Sequence, residues 1–258
     1  MTNKKIKSLS SNTLFHFTGS IENLYSILMN DFYPRYSLEF YSLFFSKTRE
    51  RAIPMVSFCD IPLSQVINHS KIYGSYALGL SKKWGLKKEI SPVIYVYKNS
   101  RISLAYEKIE DAILFDDKTE INLEGRIAVY EIYRFLKPYE GRLWRHGKLH
   151  RNKVRFYDER EWRYVPSYKA LGKHKVSGVL SKEKYSNDDI RTESNNKLEQ
   201  FKLTFQPKDI KYIIVKNENE ILEMLDKVIN IKRGRFTYRD VQLLTTRILT
   251  MEQILDDF

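Results

Sequence analysis

Two carboxylates, Glu159 and Glu161, lie two residues apart in the segment formed by residues 156–166. The segment predicts a β-strand, in which alternate side chains point to the same face, so these glutamates and Arg163 would share one face. Two carboxylates aimed into one space beside a basic segment suit chemistry on an anionic substrate. A simpler interpretation stays open, since Glu and Arg alternating on an exposed strand also form cross-strand ion pairs.

The overall composition favours a folded protein with an anionic partner. The chain has 258 residues, a net charge of +12 and 42% hydrophobic residues. Such a charge favours nucleic acid, a phosphorylated ligand, an acidic protein or a membrane surface. No signal peptide or membrane span is visible, and a single cysteine, Cys59, excludes an internal disulfide and fits a reducing cytosol.

Other residues that could do chemistry lie in apolar surroundings. His16 falls within a short apolar strand, where a histidine is often a core residue. Cys59 follows an apolar run, and nothing local marks a Cys/His nucleophile. Tyr73 and Tyr76 could stack on a planar ring or belong to the core and a turn. No Cys/His spacing resembles a zinc site and no Gly-rich loop resembles a phosphate cradle, so we expect no metal.

The elements predicted from periodicity and capping indicate an α+β protein. Ser20 and Ser81 are expected to cap helices. The predicted strands include residues 14–18, 55–60, 92–97 and 210–215, and the predicted helices include residues 21–29, 124–136, 217–229 and 238–255. Residues 30–51 are expected to be irregular and residues 169–202 to form a polar loop. We predict one domain over residues 1–258, with a flexible basic arm at 1–12 and a helical C-terminal portion at 217–258.

Several of these segments resemble a known family when taken together and in order. They are Pro54 to Leu63, Tyr73 to Gly85, Phe156 to Pro166 and the C-terminal Arg247 to Ile254. They are similar to the AbiGi family of abortive phage-resistance proteins, which are described as antitoxins. More distantly, His16-Phe17-Thr18 followed by a helix resembles the first strand and helix of ADP-ribosyltransferase-like toxins.

The transferase resemblance implies a fold and a set of site residues. The fold would be an ADP-ribosyltransferase-like split β-sheet core with peripheral helices. NAD would be the substrate. Loss of nicotinamide leaves a cationic ribose, and a carboxylate can stabilise that charge, so the chemistry would need no metal. Glu161 would take that role and Glu159 would serve the acceptor. The residues implied to bind NAD are His16, Thr18, Ser57, Tyr73 and Tyr76.

The resemblance also gives the basic segment a role, because the loop before the catalytic glutamate selects the target in such transferases. Residues 141–155 contain six Lys/Arg, two His and no acid. We therefore expect a nucleic-acid acceptor. Cations of this segment would contact the phosphates, and an aromatic ring would stack on an unpaired base. The candidate residues are Arg142, Trp144, Arg145, Lys148, Arg151, Lys153 and Arg155. A solvated loop, or a docking face for an acidic antitoxin, stays open.

Two functions from different classes follow. The first is a phage-defence ADP-ribosyltransferase that acts on single-stranded RNA or DNA in the prokaryotic cytoplasm. The second is a non-catalytic antitoxin that uses its basic face to bind a cognate toxin or nucleic acid. The enzyme requires His16, an aromatic ring and Glu161 around one cleft, whereas the binding module does not.

Overall fold

The computed structural model describes residues 10–41, 50–115, 122–145, 148–232 and 237–257. The chain divides into two compact units. Unit 1 comprises residues 1–32, 57–91 and 203–258, and unit 2 comprises residues 33–56 and 92–202. The single domain expected from the sequence stays a prediction.

Thirteen strands lie in the described part of the chain. In chain order they are β1 (Thr13–Thr18), β2 (Arg35–Phe40), β3 (Glu50–Cys59), β4 (Tyr76–Ser81), β5 (Ser91–Pro92), β6 (Ile94–Val96), β7 (Leu136–Pro138), β8 (Gly141–Arg145), β9 (Lys148–Val154), β10 (Glu161–Tyr164), β11 (Leu180–Ser181), β12 (Ile210–Val215) and β13 (Ile248–Thr250). Strand β3 begins in unit 2 and ends in unit 1.

Eleven α-helices lie in the same described ranges. They are α1 (Ile21–Asn30), α2 (Val66–Tyr73), α3 (Lys82–Lys87), α4 (Arg101–Phe115), α5 (Leu123–Tyr133), α6 (Tyr168–Lys173), α7 (Lys182–Ser186), α8 (Asp188–Asn196), α9 (Ile221–Lys232), α10 (Tyr238–Thr245) and α11 (Met251–Asp257). None of these described helices combines the length and apolar character that crossing a membrane requires. The strands and helices together confirm the mixed α+β architecture that the sequence predicts.

Unit 1 is built on a sheet with the order β13-β12-β4-β1, followed by the end of β3. Strands β1 and β4 are antiparallel, with Phe15 opposite Gly79. Strands β12 and β13 are parallel, with Ile213 opposite Ile248. The core of this unit includes Phe15, Val66, Ala77, Ile214 and Met251, so the apolar residues of sheet and helices meet in one cluster.

Unit 2 holds the first part of β3 between two partners. Strand β2 pairs with it antiparallel, with Arg35 opposite Met55, and β11 pairs antiparallel at Leu180 and Ala52. Two core clusters support this arrangement. One contains Tyr41, Ile53, Met55, Val96, Tyr133 and Leu136, and the other contains Tyr36, Ala52, Leu171, Val176, Leu180, Leu198 and Phe201.

The predictions for two segments of unit 2 were wrong. The irregular stretch expected at residues 30–51 contains β2, because Tyr36 is buried among apolar side chains while its backbone pairs with β3. The polar loop expected at residues 169–202 contains α6, β11, α7 and α8. The side chains of Ser167, Ser181 and Asn187 cap the first turns of α6, α7 and α8. These caps favour short helices in a segment whose sequence lacks apolar periodicity.

Two further predictions need correction. The final helix expected at residues 238–255 is interrupted by β13, because Arg247 donates to the carbonyl of Pro207 and to that of Ile210, which places Ile248–Thr250 beside β12. The basic loop expected at residues 141–155 is a hairpin of β8 and β9, with Gly141 opposite Val154. The hairpin satisfies the backbone hydrogen bonds of most of this segment internally.

Candidate functional site

Glu159 and Glu161 lie at the start of β10, but not on one strand as predicted. Residues Phe156–Glu159 form a 3-10 turn, Arg160 adopts a left-handed conformation with φ of 46°, and the strand begins at Glu161. A non-glycine residue in this region is uncommon, and here it separates the 3-10 turn from the strand. The turn keeps both glutamates buried, at 6% and 5% exposure.

The two carboxylates share one ammonium group. Lys137 Nζ, on β7, lies 2.6 Å from Glu161 Oε2 and 3.2 Å from Glu159 Oε2. The expectation that both carboxylates occupy one space is therefore confirmed, although a turn and a lysine produce it rather than strand alternation. The Lys137 ammonium also lies 5.1 Å from the centre of the Phe156 ring.

Arg163 binds Glu161 from the same strand. Arg163 Nε donates to Glu161 Oε1 at 2.6 Å and Nη2 donates to Oε2 at 3.2 Å, which is a two-pronged pair. The same guanidinium donates from Nη2 to Glu39 Oε1 at 2.8 Å and from Nη1 to the Arg134 carbonyl at 3.0 Å. We call Glu39, Lys137, Glu159, Glu161 and Arg163 the Glu161 cluster.

The backbone of Glu161 is also held in place. Its N–H donates to Tyr95 Oη at 2.8 Å, and its carbonyl accepts from the Val93 N–H at 3.0 Å. Burial raises the pKa of Tyr95, so this hydroxyl stays neutral. The hydrogen bonds to Tyr95 and Val93 therefore fix the backbone of Glu161 at both its N–H and its carbonyl group.

Electrostatics keep Glu161 ionised. Burial alone would raise the pKa of its carboxyl, but the charges of Arg163 and Lys137 outweigh burial and hold the pKa far below its usual range. Burial would lower the pKa of Arg163, and the charges of Glu161 and Glu39 raise it. Both groups are charged at neutral pH, so the pair is a buried ion pair.

The chemical capacity of the cluster follows from these contacts. Both oxygens of Glu161 already accept hydrogen bonds from cations. An ionised carboxylate of this kind can stabilise positive charge, but two cations neutralise much of its field. Such a cluster is well suited to fixing the strand, and a catalytic role would require a substrate to compete with Lys137 or Arg163.

His16 lies in unit 1, on β1. Its Nδ1–H donates to the Ser57 carbonyl at 2.8 Å, and its ring packs against Phe32 and Phe58, with centroids 5.1 and 5.7 Å away. Burial lowers the pKa of His16, against the opposing effect of the Ser57 hydrogen bond, so the ring is neutral at pH 7. Thr18 is buried at the end of the same strand.

Tyr73 and Tyr76 lie at the junction of α2 and β4. Tyr76 Oη donates to Glu220 Oε1 at 2.8 Å, and burial together with this hydrogen bond raises its pKa to about 12. The Tyr73 ring packs on His69, with centroids 4.8 Å apart. Tyr73, Tyr76, His16, Thr18 and Ser57 thus belong to unit 1, whereas the glutamates belong to unit 2. The NAD contacts assigned to them stay predictions.

Unit 1 also holds a pair that the sequence did not reveal. Cys59 Sγ lies 2.7 Å from His69 Nε2, and His69 is buried between Phe17 and Tyr73. The expectation that nothing local accompanies Cys59 was wrong, because β3 leads into α2 and returns the histidine to the thiol ten residues later. A strand-end cysteine followed by a histidine on the next helix was the available signal.

The basic hairpin is described only in part. Arg142 is exposed, and it lies opposite Lys153 in the register of β8 and β9. Lys153 Nζ lies 3.8 Å from Glu140, and Arg155 lies 3.8 Å from Asp158, which are weak surface contacts. The side chains of four other candidates lie outside the described residues, namely Trp144, Arg145, Lys148 and Arg151.

Within the part of the chain that the structure describes, no group of three or more His, Cys, Asp or Glu residues is arranged to hold a metal ion. The expectation that the function requires no metal stays a prediction.

Comparison with known proteins identifies the family. A curated protein of Lactococcus lactis subsp. cremoris, "Abortive phage resistance protein AbiGi", is 29% identical over 259 residues, which cover 88% of this chain and 99% of that protein. No solved structure matches the chain significantly. The family model described as "Putative abortive phage resistance protein AbiGi, antitoxin" matches residues 30–216. Because this match covers well over half of the sequence, the chain belongs to the AbiGi family of abortive phage resistance proteins.

Proposed function

We propose that this protein is the antitoxin of an abortive infection system and acts by binding a cognate toxin rather than by turning over a substrate. The description of its family as an antitoxin supports this function. A binding module needs a stable fold and an accessible surface, and its buried charged residues can serve the fold alone.

The observation that carries the proposal is the state of Glu161. This carboxylate is buried, and both oxygens contact Arg163 or Lys137. A glutamate that stabilised a ribose cation would need an oxygen directed at the substrate. The contacts of Glu161 instead match those of a buried ion pair that fixes β10 to β7.

A surface for an acidic partner is available on the basic hairpin. Arg142 and Lys153 are exposed on its paired strands, and Arg155 follows it. The net charge of +12 favours association with a negatively charged protein, because complementary charge accelerates encounter. The same cations would contact phosphates if the partner were nucleic acid.

The test is expression of the chain with and without each toxic protein encoded next to it. We expect the chain alone to leave growth unchanged and to relieve the toxicity of one neighbour. Reversal of charge at Arg142, Lys153 and Arg155 should abolish this relief while the circular dichroism spectrum stays unchanged. Reversal of charge at Lys208, Lys211 and Lys216, which lie outside the hairpin, is the matched control. Growth arrest by the chain alone would contradict the proposal.

A second candidate is an ADP-ribosyltransferase with a split-sheet core, NAD as substrate and nucleic acid as acceptor. The observation that favours it is the convergence of Glu159 and Glu161 on Lys137, because paired carboxylates in one space are what such transfer uses. In this function Glu161 would act on the NAD ribose and Glu159 on the acceptor.

Incubation with labelled NAD and RNA, DNA or cell extract distinguishes the two functions. We expect no label transfer and no release of nicotinamide. Transfer that is lost in a folded Glu159→Gln or Glu161→Gln protein, and retained in Glu193→Gln, would establish the transferase instead. The folding check is essential, since the contacts of Glu161 predict that its replacement also lowers stability.

A further inference from the structure

Four tyrosine rings contact one another in sequence within unit 2, beside the basic hairpin. We call them the tyrosine row; in the order of their ring contacts they are Tyr97, Tyr139, Tyr157 and Tyr95. Neighbouring ring centroids lie 5.8, 5.5 and 5.2 Å apart, which is the range of favourable aromatic pairs. Tyr97 is 59% exposed and Tyr157 is 53% exposed. Exposed apolar surface that is contiguous, unlike single exposed residues, marks an interaction surface.

Strand geometry produces the row. Strands β6 and β7 are parallel partners, and alternate side chains of a strand point to opposite faces. Val96 and Leu136 belong to a core cluster of unit 2, at 1% and 0% exposure. Tyr95, and Tyr97 directly after the strand, therefore point to the other face. The N–H of Tyr139 donates to the Val96 carbonyl at 2.9 Å, which brings Tyr139 beside Tyr97.

The row lies at the base of the basic hairpin. Tyr139 is two residues before β8, and Tyr157 is three residues after β9. The N–H of Tyr157 donates to the Tyr139 carbonyl at 3.2 Å, so a hydrogen bond closes the base where these two rings meet. The paired residues of the hairpin that follow this base are Gly141 with Val154 and Arg142 with Lys153. Aromatic rings and basic side chains thus adjoin at one end of the hairpin.

The arrangement of the cations indicates an anionic ligand. Arg142 and Lys153 are direct cross-strand partners, and both are exposed. Like charges directly opposite each other destabilise a strand pair, and an anion beside both would offset the repulsion. Strand alternation places Arg155 on the same side as Lys153. Lys153 and Arg155 contact Glu140 and Asp158 at 3.8 Å, and such exposed ion pairs are weak enough for phosphates to replace them.

We propose that the tyrosine row and these cations bind a single-stranded nucleic acid. Bases stack on the exposed rings of Tyr97 and Tyr157, and backbone phosphates contact Arg142, Lys153 and Arg155. A positively charged track combined with aromatic rings is the general means by which proteins hold single strands. A duplex fits less well, because its bases are stacked on one another and cannot reach a protein ring.

The combination of rings and cations favours a strand over an acidic protein. Every nucleotide presents a phosphate and a planar base, so a strand satisfies both halves of the surface. Carboxylates of an acidic protein would satisfy the cations but would leave the rings without planar partners. The inference goes beyond the antitoxin function, because a strand would bind in the absence of toxin and of NAD.

The test is fluorescence anisotropy of the full chain with labelled oligothymidylate and oligouridylate of about 12 nucleotides, within the site sizes of known single-strand grooves. A blunt DNA duplex of the same length is the comparison. We expect both strands to bind more tightly than the duplex at physiological ionic strength. Tighter binding of one strand than of the other would assign the surface to RNA or to DNA.

Variants of the rings test the stacking. Tyr97→Ala and Tyr157→Ala should each weaken strand binding by about fivefold or more, which is the loss of one base–aromatic stack. Tyr97→Phe and Tyr157→Phe keep the ring and should bind like wild type. Tyr238→Ala changes an exposed tyrosine on α10, in unit 1, and should leave binding unchanged.

Variants of the cations test the phosphate contacts. Arg142→Gln and Lys153→Gln should each weaken binding and reduce the salt dependence of the affinity. The slope of the logarithm of the association constant against the logarithm of salt concentration should fall by about 0.7 for each lost phosphate contact of a single strand. Lys208→Gln changes an exposed lysine of unit 1 and should leave this slope unchanged.

Four results would overturn the inference. The first is binding of neither strand, and the second is binding of the duplex as tightly as of the strands. The third is unchanged affinity in both Tyr97→Ala and Tyr157→Ala. The fourth is displacement of the strand by polyglutamate as readily as by unlabelled strand, which would assign the surface to an acidic protein. Circular dichroism spectra of the variants exclude misfolding as the cause of lost binding.

Discussion

Arg163 Nε lies 2.6 Å from Glu161 Oε1, and both side chains are buried. Glu161 is the first residue of the short strand β10 and Arg163 is the third. Residues two apart on a strand point to the same face, so the pair forms without a long loop to close. Lys137 and Glu39 join the pair from other segments of unit 2. The cluster therefore links local strand geometry to the tertiary structure of the unit.

Replacement of Glu161 by Gln should destabilise the protein strongly. The change leaves Arg163 buried without its ionised partner, and breaking a buried pair from one side costs about 3–5 kcal/mol in the free energy of unfolding. Urea denaturation followed by circular dichroism measures the loss. Glu193→Gln, which removes an exposed pair with Lys197 in the same unit, should leave the midpoint nearly unchanged. Equal midpoints for both variants would show that the Glu161 cluster does not stabilise the fold.

Acidification should weaken the wild-type protein through the same residue. The pKa of Glu161 is lower in the folded state than in the unfolded chain, where it is about 4.3. Its contribution to stability is therefore fully present above the unfolded pKa and is lost as pH falls toward the folded pKa. Between these values one extra proton binds on unfolding, which changes the free energy of unfolding by about 1.4 kcal/mol per pH unit.

Urea midpoints between pH 7 and pH 3 measure this dependence. Wild-type protein should lose stability below about pH 4.3, and Glu161→Gln should show a shallower slope there because it lacks the titrating group. Lys137→Met keeps Arg163 and should give an intermediate slope, which serves if Glu161→Gln does not fold. Parallel curves for all three proteins would assign the acid sensitivity to other carboxylates.

Local signals in the sequence predicted much of the fold. Ser20 and Ser81 were predicted as helix caps, and their hydroxyl groups accept from the N–H of Asn23 and of Trp84. Caps depend on contacts three residues away, so the sequence carries them directly. Strands β1 and β12 were predicted from another local signal, their apolar runs. A strand buried on both faces leaves a continuous apolar segment in the sequence.

The partners within the candidate site could not be predicted in this way. Lys137 meets Glu161 from a strand more than twenty residues earlier, and Tyr95 binds the Glu161 backbone from a greater distance along the chain. No periodicity marks such contacts, since they depend on how separate elements pack. The contact between Cys59 and His69 was missed for the same reason. Only ten residues separate the two, but a strand, a turn and a helix must be placed before they are seen to meet.

Gly74 is predicted to tolerate no side chain. Its φ is +111°, and a Cβ atom there would meet the carbonyl oxygen of Thr18 and lie 2.7 Å from Gly19 Cα. Gly74→Ala should therefore lower the free energy of unfolding by at least about 2 kcal/mol, through both backbone strain and the clash. Gly172→Ala is the control, because nothing lies within 4 Å of its Cβ position and alanine favours helix α6. A Gly74→Ala protein as stable as wild type would show that the α2–β4 junction adapts.

The contact between Cys59 Sγ and His69 Nε2 predicts a reactive thiol. An imidazole at 2.7 Å can accept the thiol proton and leave a thiolate beside an imidazolium, and thiolates are the species that alkylating reagents attack. Because Cys59 is the only cysteine in the sequence, its alkylation by iodoacetamide can be followed by intact mass without assignment of sites. Wild-type protein should react faster than His69→Gln at pH 6 to 7, with the two rates converging at high pH, where any thiol ionises. His174→Gln, a change in unit 2, should match wild type. If His69→Gln instead reacts as fast as wild type across this pH range, the histidine packs against the thiol without activating it.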